Sequence, residues 1–520
     1  MPDYDVVVVG AGHNGLVAAA YLARAGQRVA VLERAANLGG AAGTVERWPG
    51  HQVDVGASAH VVFKQTGIAE DLGLAEHGLE YLEFDPMYVA LFPDGTAIEF
   101  WRDLDRTVES IARTSPHDAE AYRRFVHLWA PVAPLFLDLF TSPASISAAA
   151  GHFWAQLQRG GPGAVALMAG LASSPRAILR KHFRDPRLQG ALAFSAAQTG
   201  VPSDAAGSGA TLLWWAMGHA WGNPTPRGGS GMLAVALQRK IESLGGVVLA
   251  GQPASGVRRT DEGVEVDVDG GTISARAVVM ATHLRTSLRL LGDALPARAA
   301  ARLGAVPLGN GCGVTMHLAT DGLPAYPALP DGGDNAHRGV QFLCPSPDHL
   351  DAAHSDYLAG RPAQAPAIAI TSASAFDPSR APPGRHVLAL WAQWYPYALA
   401  DGQRWDDIAD REAERIIDVV AGYAPGLRAS IRHQHFSSPV AMERTLDLAH
   451  ANLMHLPMTP DRLYVSRPAR GYADYRLAPR IYACGASTHP GGGVMGTSGR
   501  LAAAVVLEDL GGPPSRPVAP

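Results

Sequence analysis

Residues 3–34 read DYDVVVVGAGHNGLVAAAYLARAGQRVAVLER, and the fold turns on them. Val6–Val9 make a short, unbroken, β-branched run that ends directly on glycine, the mark of a parallel strand buried on both faces. Gly10-Ala11-Gly12-His13-Asn14-Gly15 then matches G-x-G-x-x-G. In that pattern the first glycine permits the tight turn, the second lets the backbone approach a pyrophosphate, and the third lets the helix pack on the strand. A helix is predicted from about residue 14 to residue 25, with small residues at Ala18, Ala19 and Ala20. Its amide dipole points at the phosphates, beside His13 and Asn14. Gly26 ends it, RVAVLE supplies a second strand, and Glu33 falls 18 residues after Gly15 with Arg34 next to it. A carboxylate at that spacing accepts hydrogen bonds from a ribose diol. A glycine-rich turn alone means little; strand, turn, helix, strand and terminal acid in this order mean a dinucleotide site.

The next stretch, AANLGGAAGT, adds Gly39-Gly40 six residues on from Glu33, with Ala41 beside them: a second close backbone approach to a nucleotide. VDVGASAHVV (53–62) suits a path near a cofactor through its glycine and small residues, Ala57 and Ser58 among them. Near the other end, PRIYACGASTHPGGGVMGTSGRLAAAVVLEDL (479–510) repeats the theme. A strand at 481–484 ends on Gly485, a glycine-dense loop turns, and an alanine-rich helix starts near residue 496. In between, NPTPRGGSGMLAVALQRKIESLGGVVLAG (223–251) reads as loop, helix, break and strand. The alternations GVEVDVDG and TISARAVVMAT follow, the last strand ending near Ala281-Thr282. The fold class is α/β (α+β overall). A discontinuous Rossmann-like nucleotide domain is expected from 1–75, 223–304 and 455–520. An inserted mixed-sheet and helical substrate-binding domain is expected from 76–222 and 305–454.

The 520 residues are 47% hydrophobic and 18% charged, enough for a large interior. A net charge of -5 without any polybasic block argues against nucleic acid as a partner and gives no reason for strong attraction to anionic lipid. Cys312, Cys344 and Cys484 are too few and too far apart for a disulfide framework or a C-x-x-C zinc site, which fits a reducing compartment. The first residues carry acid where a secretory signal carries base, and no segment reaches the roughly 18 uninterrupted apolar residues of a spanning helix. A cytoplasmic protein, soluble or at most membrane-associated at its periphery, is expected. Residues 76–222 contain helical patterns rich in Trp, Phe, Leu and Ala. DAEAYRRFVHLWAPVAPLFLDLF (118–140) begins amphipathic and ends apolar, interrupted by Pro131 and Pro134. It reads either as a helical cap on the core or as a lipophilic tunnel or membrane-resting face. Residues 305–395 read as mostly β, and DIADREAERIIDVVAGYAP (407–425) as an amphipathic helix.

Together GHNGLVAAAYLARAG, LGGAAGT, WAQWYPYALADGQRWDD, YAPGL and GASTHPGGGVMGTSGR resemble the phytoene-desaturase-like flavoproteins, with an FAD-binding fold of the amine oxidase/phytoene desaturase type. Within that group the chain is most similar to the branch called pyridine nucleotide-disulphide oxidoreductase domain-containing protein two. The resemblance runs from about residue 5 to residue 510 and is weakest between about 140 and 225. The branch name promises a redox disulfide, but no cysteine pair here forms one locally. The resemblance implies FAD as cofactor, with Gly10, Gly12, Gly15 and Gly40 at the pyrophosphate and Glu33 on the adenosine ribose. The backbone near Ala254 would face the adenine, Gly485-Ala486 the ribityl-phosphate side, and Val494-Met495, after Gly493, the flavin pyrimidine edge. His13, Asn14, Arg34, Gly39, Ala41, Ala57, Ser58 and Ala281 complete the expected cofactor set. Related flavoproteins often carry an acid just after the glycine at 485; Ala486 here fits the desaturase variant. A helix N-terminus at Met495 would stabilise the anion of a reduced flavin.

A flavin beside an apolar cavity accepts a hydride at N5 from a C–H bond, while the protein mainly orients the substrate and excludes water. No acid–base triad is visible. His60 and His489 read either as substrate or flavin contacts or as satisfied structural histidines. Trp214, beside Trp215, and Trp391 and Trp394 of WAQWYPY read either as aromatic pocket walls or as core. Cys484, in a buried strand, reads as an inert thiol. The twenty histidines show no H-E-x-x-H, so no metal is expected. GNGCGV (309–314) lacks the spacing and trailing acid of a second nucleotide motif, so an NAD domain is not expected, and oxygen, a quinone or the substrate itself is left as electron acceptor. Three readings follow: a dehydrogenase or desaturase making C=C in a lipophilic or polycyclic small molecule, an amine oxidase making C=N, and a flavin-dependent isomerase or non-catalytic scaffold. An amine oxidase would be supported by a lysine poised near flavin N5. Only Lys64, Lys181 and Lys240 exist, and only Lys64 lies near a flavin-side strand, so the desaturase ranks first.

Overall fold

The four valines of the opening stretch are at most 4% exposed because the sheet they enter is covered on both faces. In the computed structural model, which describes residues 2–159, 161–329 and 333–511, β1 (Tyr4–Val9) leads into α1 (His13–Arg24) and β2 (Val29–Glu33). Residues 512–520, the end of the expected terminal nucleotide segment, lie outside the described residues. Successive strand residues point to opposite faces. Val6 and Val8 pack into a core with Leu16, Leu237 and Val506, whereas Val7 and Val9 pack against Leu284 and Leu290.

β1 is central. It runs parallel to β2 (Val8 opposite Val31) and to the strand Gly271–Met280 (Val9 opposite Met280). Val247–Ala250 adds to the far side of β2, and Ile481–Ala483 adds in parallel beside Met280. The long strand Gly271–Met280 belongs to two arrangements. Its first half is the last limb of an antiparallel meander with Ala254–Arg259 and Val264–Val268, and its second half is a parallel core strand. All five parallel strands therefore end at one edge, at Gly10, Arg34, Gly251, Ala281 and Cys484, where open α/β sheets place their ligands. The C-terminal helix Thr497–Asp509 lies against α1, and Gly499 is so close to the Asn14 carbonyl that a Cβ would collide with it.

A second sheet of seven strands runs in the order Ile431–Ser437, Gly313–Thr320, His386–Gln393, Ala367–Thr371, Val340–Leu343, Tyr88–Leu91 and Ala97–Phe100. Every neighbouring pair is antiparallel except Val340–Leu343 with Tyr88–Leu91. The region 76–222, read from sequence by its helical patterns, thus also contributes two strands; their main partner lies some 250 residues away, beyond the reach of local periodicity. A short strand, Tyr81–Glu83, pairs with Pro224–Pro226, and the regular structure that remains in that region is helical. Pro131 falls in a single turn, Ala130–Val132, between Pro116–Trp129 and Ala133–Thr141, and Pro134 sits in the first turn of the latter, where its missing N–H costs nothing. The helix Trp405–Tyr423 covers the outer face of the seven-stranded sheet, with Ile416 and Val420 against Leu388 and Leu390. Among the described residues no helix is long and apolar enough to cross a membrane.

Candidate cofactor and substrate site

One continuous cavity of about 1460 Å³ begins at the edge where the parallel strands end and runs to the face of the second sheet. Glu33 and Val494, from opposite ends of the chain, both line it, as does every other residue expected at the cofactor. Gly10 has φ +108°, and a Cβ there would lie 3.1 Å from the Ala281 carbonyl. A Cβ on Gly15 would run into the Gly10 carbonyl oxygen. Gly12 is different: nothing lies within 4 Å of its Cβ position, which opens into the cavity at the start of α1. No side chain caps that helix and no acid sits in its first turn, so its leading amides remain available to an anion.

Glu33 is clamped from both sides: Oε2 accepts from the Ala11 amide at 2.8 Å and Oε1 from the Ala35 amide at 2.9 Å. The Gly39 amide donates to the Ala11 carbonyl, which seats the second glycine pair on the first turn. His13 bonds to Asn14 Nδ2 and to the Gly493 backbone, tying the N-terminal turn to the C-terminal loop, and burial pushes its pKa down to about 4. Asn14, 6% exposed, is left with an Oδ1 that has no partner, an acceptor waiting for a donor. The C-terminal loop is held by Ser498 Oγ, which accepts from the Gly485 amide at 2.8 Å. It is held also by fully buried Arg467, which donates to the carbonyls of Ala486, Met454, Leu456 and Pro457. Arg34 lines the cavity while its guanidinium donates to the carbonyls of Arg444 and Thr445. An open cradle at Gly12, an oriented carboxylate and an orphaned acceptor at Asn14 fit a dinucleotide.

The other half of the cavity has a floor and walls. Its floor is one face of the seven-stranded sheet, and a single cross-strand row, His435–His317–Ala389–Thr371–Val340–Tyr88, lines it across six of the seven strands. Trp391 stands in the adjacent row between Thr315 and Ala369. Leu135, Phe136, Leu139 and Phe140 form a wall, so the apolar end of 118–140 faces a chamber, with Leu167 and Leu171 beyond. Trp214 closes the far end, its indole donating to the Tyr88 hydroxyl at 2.9 Å.

Of the five residues expected in the substrate pocket, Trp214 and Trp391 line the cavity and His60, Trp394 and His489 do not. His60 is fully buried between Ser230 Oγ (2.7 Å) and the Tyr81 hydroxyl (3.1 Å), a satisfied structural histidine. Trp394 is buried and packs on His354 and Tyr357. His489 has Nε2 on the Ser142 carbonyl at 3.0 Å and its ring edge-on to Tyr464. Cys484 is buried, its thiol pKa raised to about 12 by desolvation. Arg47, His317, His435, Thr371 and Tyr88 are cavity residues for which the sequence carries no local motif; only pairing across six strands and a hairpin brings them together.

Residues 15–507 match the family model described as flavin containing amine oxidoreductase. The chain belongs to that family. It is 32% identical to mouse (Mus musculus) pyridine nucleotide-disulfide oxidoreductase domain-containing protein 2, over 98% of this chain and 94% of the relative. It is 30% identical to phytoene dehydrogenase of Streptomyces griseus, over 96% of this chain and 95% of the relative. Among solved structures, an oxidoreductase from Methanosarcina mazei superposes with a TM-score of 0.62 at 18% identity, covering 97% of this chain and 100% of that one. That last likeness speaks to the fold. This member of the flavin-containing amine oxidoreductase family is an FAD-dependent oxidoreductase. When bound, FAD supplies a ring that takes up two electrons, and the residues above are those that fit it.

Proposed function

We propose that the enzyme is a dehydrogenase of the desaturase kind, which removes a hydride and a proton from neighbouring carbons of a lipophilic small molecule and leaves C=C. The hydride would go to N5 of bound FAD, the proton would be released to solvent, and oxygen or a quinone would take the electrons in turn. The observation that carries the reading is the chamber beside the cofactor half of the cavity: leucines and phenylalanines for a wall, a β-sheet for a floor, and no lysine. Lys64, the one lysine near a flavin-side strand, is paired with Glu83 at 2.8 Å away from the cavity, and Lys181 and Lys240 do not line it either. That weighs against C=N formation. The similarity to a phytoene dehydrogenase weighs in the same direction. In this reading the chain's own side chains do little chemistry: Glu33 and the glycine turns fix the cofactor, Trp214, Trp391 and the phenylalanine wall align the substrate, and the apolar lining keeps water out.

The proposal extends to how such a substrate arrives. Ile146, Trp154, Val165, Met168 and Leu171 are 51–72% exposed on the two helices Ile146–Arg159 and Gly161–Ala172, and Leu171 also lines the cavity. An apolar rim continuous with the chamber mouth suits a peripheral contact with lipid, from which a water-insoluble substrate enters. The test is anaerobic mixing of holoenzyme with isoprenoids, other lipids and amines while the visible flavin absorbance is followed. Bleaching by an unsaturated or saturated lipid and not by amines is expected; bleaching by amines alone sinks the desaturase reading.

A further inference from the structure

The floor of the chamber is cationic at one end only. Arg47 stands on the hairpin strand Thr44–Trp48 and lines the cavity beside the first two residues of the floor row, His435 and His317. Among the described residues it has no ion pair, and its Nε is buried without an acceptor. His317, 2% exposed, meets the Asp54 carbonyl through Nε2 at 3.0 Å, so that nitrogen carries the hydrogen and Nδ1 is left unpartnered. The His435 ring lies parallel to it, 9° off at 6.3 Å, with Nε2 on Ser437 Oγ at 3.1 Å. The hydroxyls of Ser437 and Thr315 extend the patch in the adjacent row.

Negative charge close by is already engaged. Asp54 faces Arg380 at 3.1 Å and accepts from the Thr44 hydroxyl at 2.7 Å and the Ser230 amide at 2.9 Å. Glu46 accepts from the Gly50 amide at 2.6 Å. A guanidinium N–H buried without an acceptor costs free energy, and at a cavity corner it is tolerable when a ligand supplies the anion. Burial and the neighbouring Arg47 hold the His317 pKa down to about 4, so an arriving anion would also stabilise a proton on Nδ1.

We propose that Arg47, His317 and His435 form an oxyanion subsite that holds the carboxylate or phosphate head of an otherwise apolar substrate. This rests on the lipophilic-substrate reading above and narrows it to amphipathic acids. The floor row then acts as a ruler: five strand spacings separate His435 from Tyr88, about 24 Å at ~4.8 Å each. A long chain anchored by its head at the first would reach the Tyr88–Trp214 end with its tail. A cationic amine is repelled at the same corner.

One other source offers the same chemistry, the diphosphate of FAD itself, and the test separates the two. Holoenzyme is titrated with hexadecanoate and with hexadecan-1-ol, following perturbation of the flavin spectrum, for the wild type, Arg47→Met and Arg47→Lys. Expected is about ten-fold tighter binding of the acid than of the alcohol in the wild type. The preference should survive in Arg47→Lys and vanish in Arg47→Met, with alcohol affinity and FAD content unchanged. Equal affinities in the wild type, or a preference that persists in Arg47→Met, overturn the subsite and leave the apolar chamber standing. Loss of FAD from Arg47→Met with the preference intact gives Arg47 to the cofactor and overturns it too. If neither ligand perturbs the wild-type flavin, the lipophilic chamber falls and the subsite with it. The wild-type comparison decides the matter even if Arg47→Met does not fold.

Discussion

Gly12 and Gly15 occupy equivalent-looking places in the G-x-G-x-x-G string and opposite ones in space. Gly12 has φ −64°, which any residue adopts, and open cavity where a side chain would go; Gly15 has the Gly10 carbonyl there. Gly12→Val should therefore fold as well as the wild-type apoprotein and purify colourless, because the valine fills the cradle without straining the backbone. Gly15→Val should lose about 2 kcal/mol or more of apoprotein stability through overpacking. Urea unfolding of the two apo variants, beside their 450 nm absorbance after purification, checks both halves; a yellow Gly12→Val would move the cofactor elsewhere. Arg467 makes a second residue-scale case. It is a buried charge whose only partners are carbonyls, one of them in the Gly485-Ala486 turn. Arg467→Met leaves those carbonyls unsatisfied and should cost about 3 kcal/mol together with FAD retention, read by thermal unfolding and by flavin content. Neither Arg467 nor Arg47 was legible in advance. The glycines were, because a turn that binds phosphate is built from contiguous residues, whereas these arginines derive their roles from chain segments brought beside them by folding.

At the scale of elements the same division recurs. β1, α1, β2 and the terminal strand–loop–helix were readable because each is a local unit whose hydrophobic period declares it. The seven-stranded floor was only half readable: Gly313–Thr320 and His386–Gln393 lie in a stretch that alternates visibly, but Tyr88–Leu91 takes its place by pairing with Val340–Leu343, and nothing near residue 88 announces that partner. For the same reason Trp391 and Trp394 of one short motif part company: Trp391 lines the chamber, and Trp394 is buried against His354 and Tyr357. The exposed helices Ile146–Arg159 and Gly161–Ala172 carry a prediction at this scale. If their apolar face rests on lipid, holoenzyme should float with phosphatidylcholine vesicles, and the double variant Val165→Asp, Met168→Asp should stay in the dense fractions. Each aspartate costs more than about 1 kcal/mol to bring into the interface. Both side chains are more than half exposed, so the fold and the flavin content should not change. Equal flotation of the two proteins removes the membrane contact.

At the scale of the whole molecule, the nucleotide sheet is closed by both chain ends, and the floor sheet is stitched from segments between residues 88 and 437, so no part is independent of the rest. Three histidines spread through this assembly share one property. His60, His317 and His489 are at most 2% exposed, and burial lowers their pKa values to about 3, 4 and 4. In the unfolded chain each returns to about 6.5. A group whose pKa is lowered by folding is neutral in the native protein while the unfolded chain takes up the proton. Stability is thus undiminished above pH 6.5 and drains away between 6.5 and about 4. Near pH 5.5 each histidine has cost on the order of 1 kcal/mol, a few kcal/mol together, a large share of the ~5–15 kcal/mol that holds a typical domain. The buried Asp54, whose pKa Arg380 and its hydrogen bonds hold below the usual carboxylate range, adds its loss only below about pH 4, so the histidines dominate the mildly acid range. The urea midpoint of the apoprotein should accordingly fall steeply from pH 7.5 to 5.5. The triple variant His60→Gln, His317→Gln, His489→Gln, less stable at pH 7.5, should show a flatter profile, with His13, whose pKa burial also lowers to about 4, keeping its own share. A wild-type midpoint that stays level over those two pH units would mean that these rings are not held neutral by the fold.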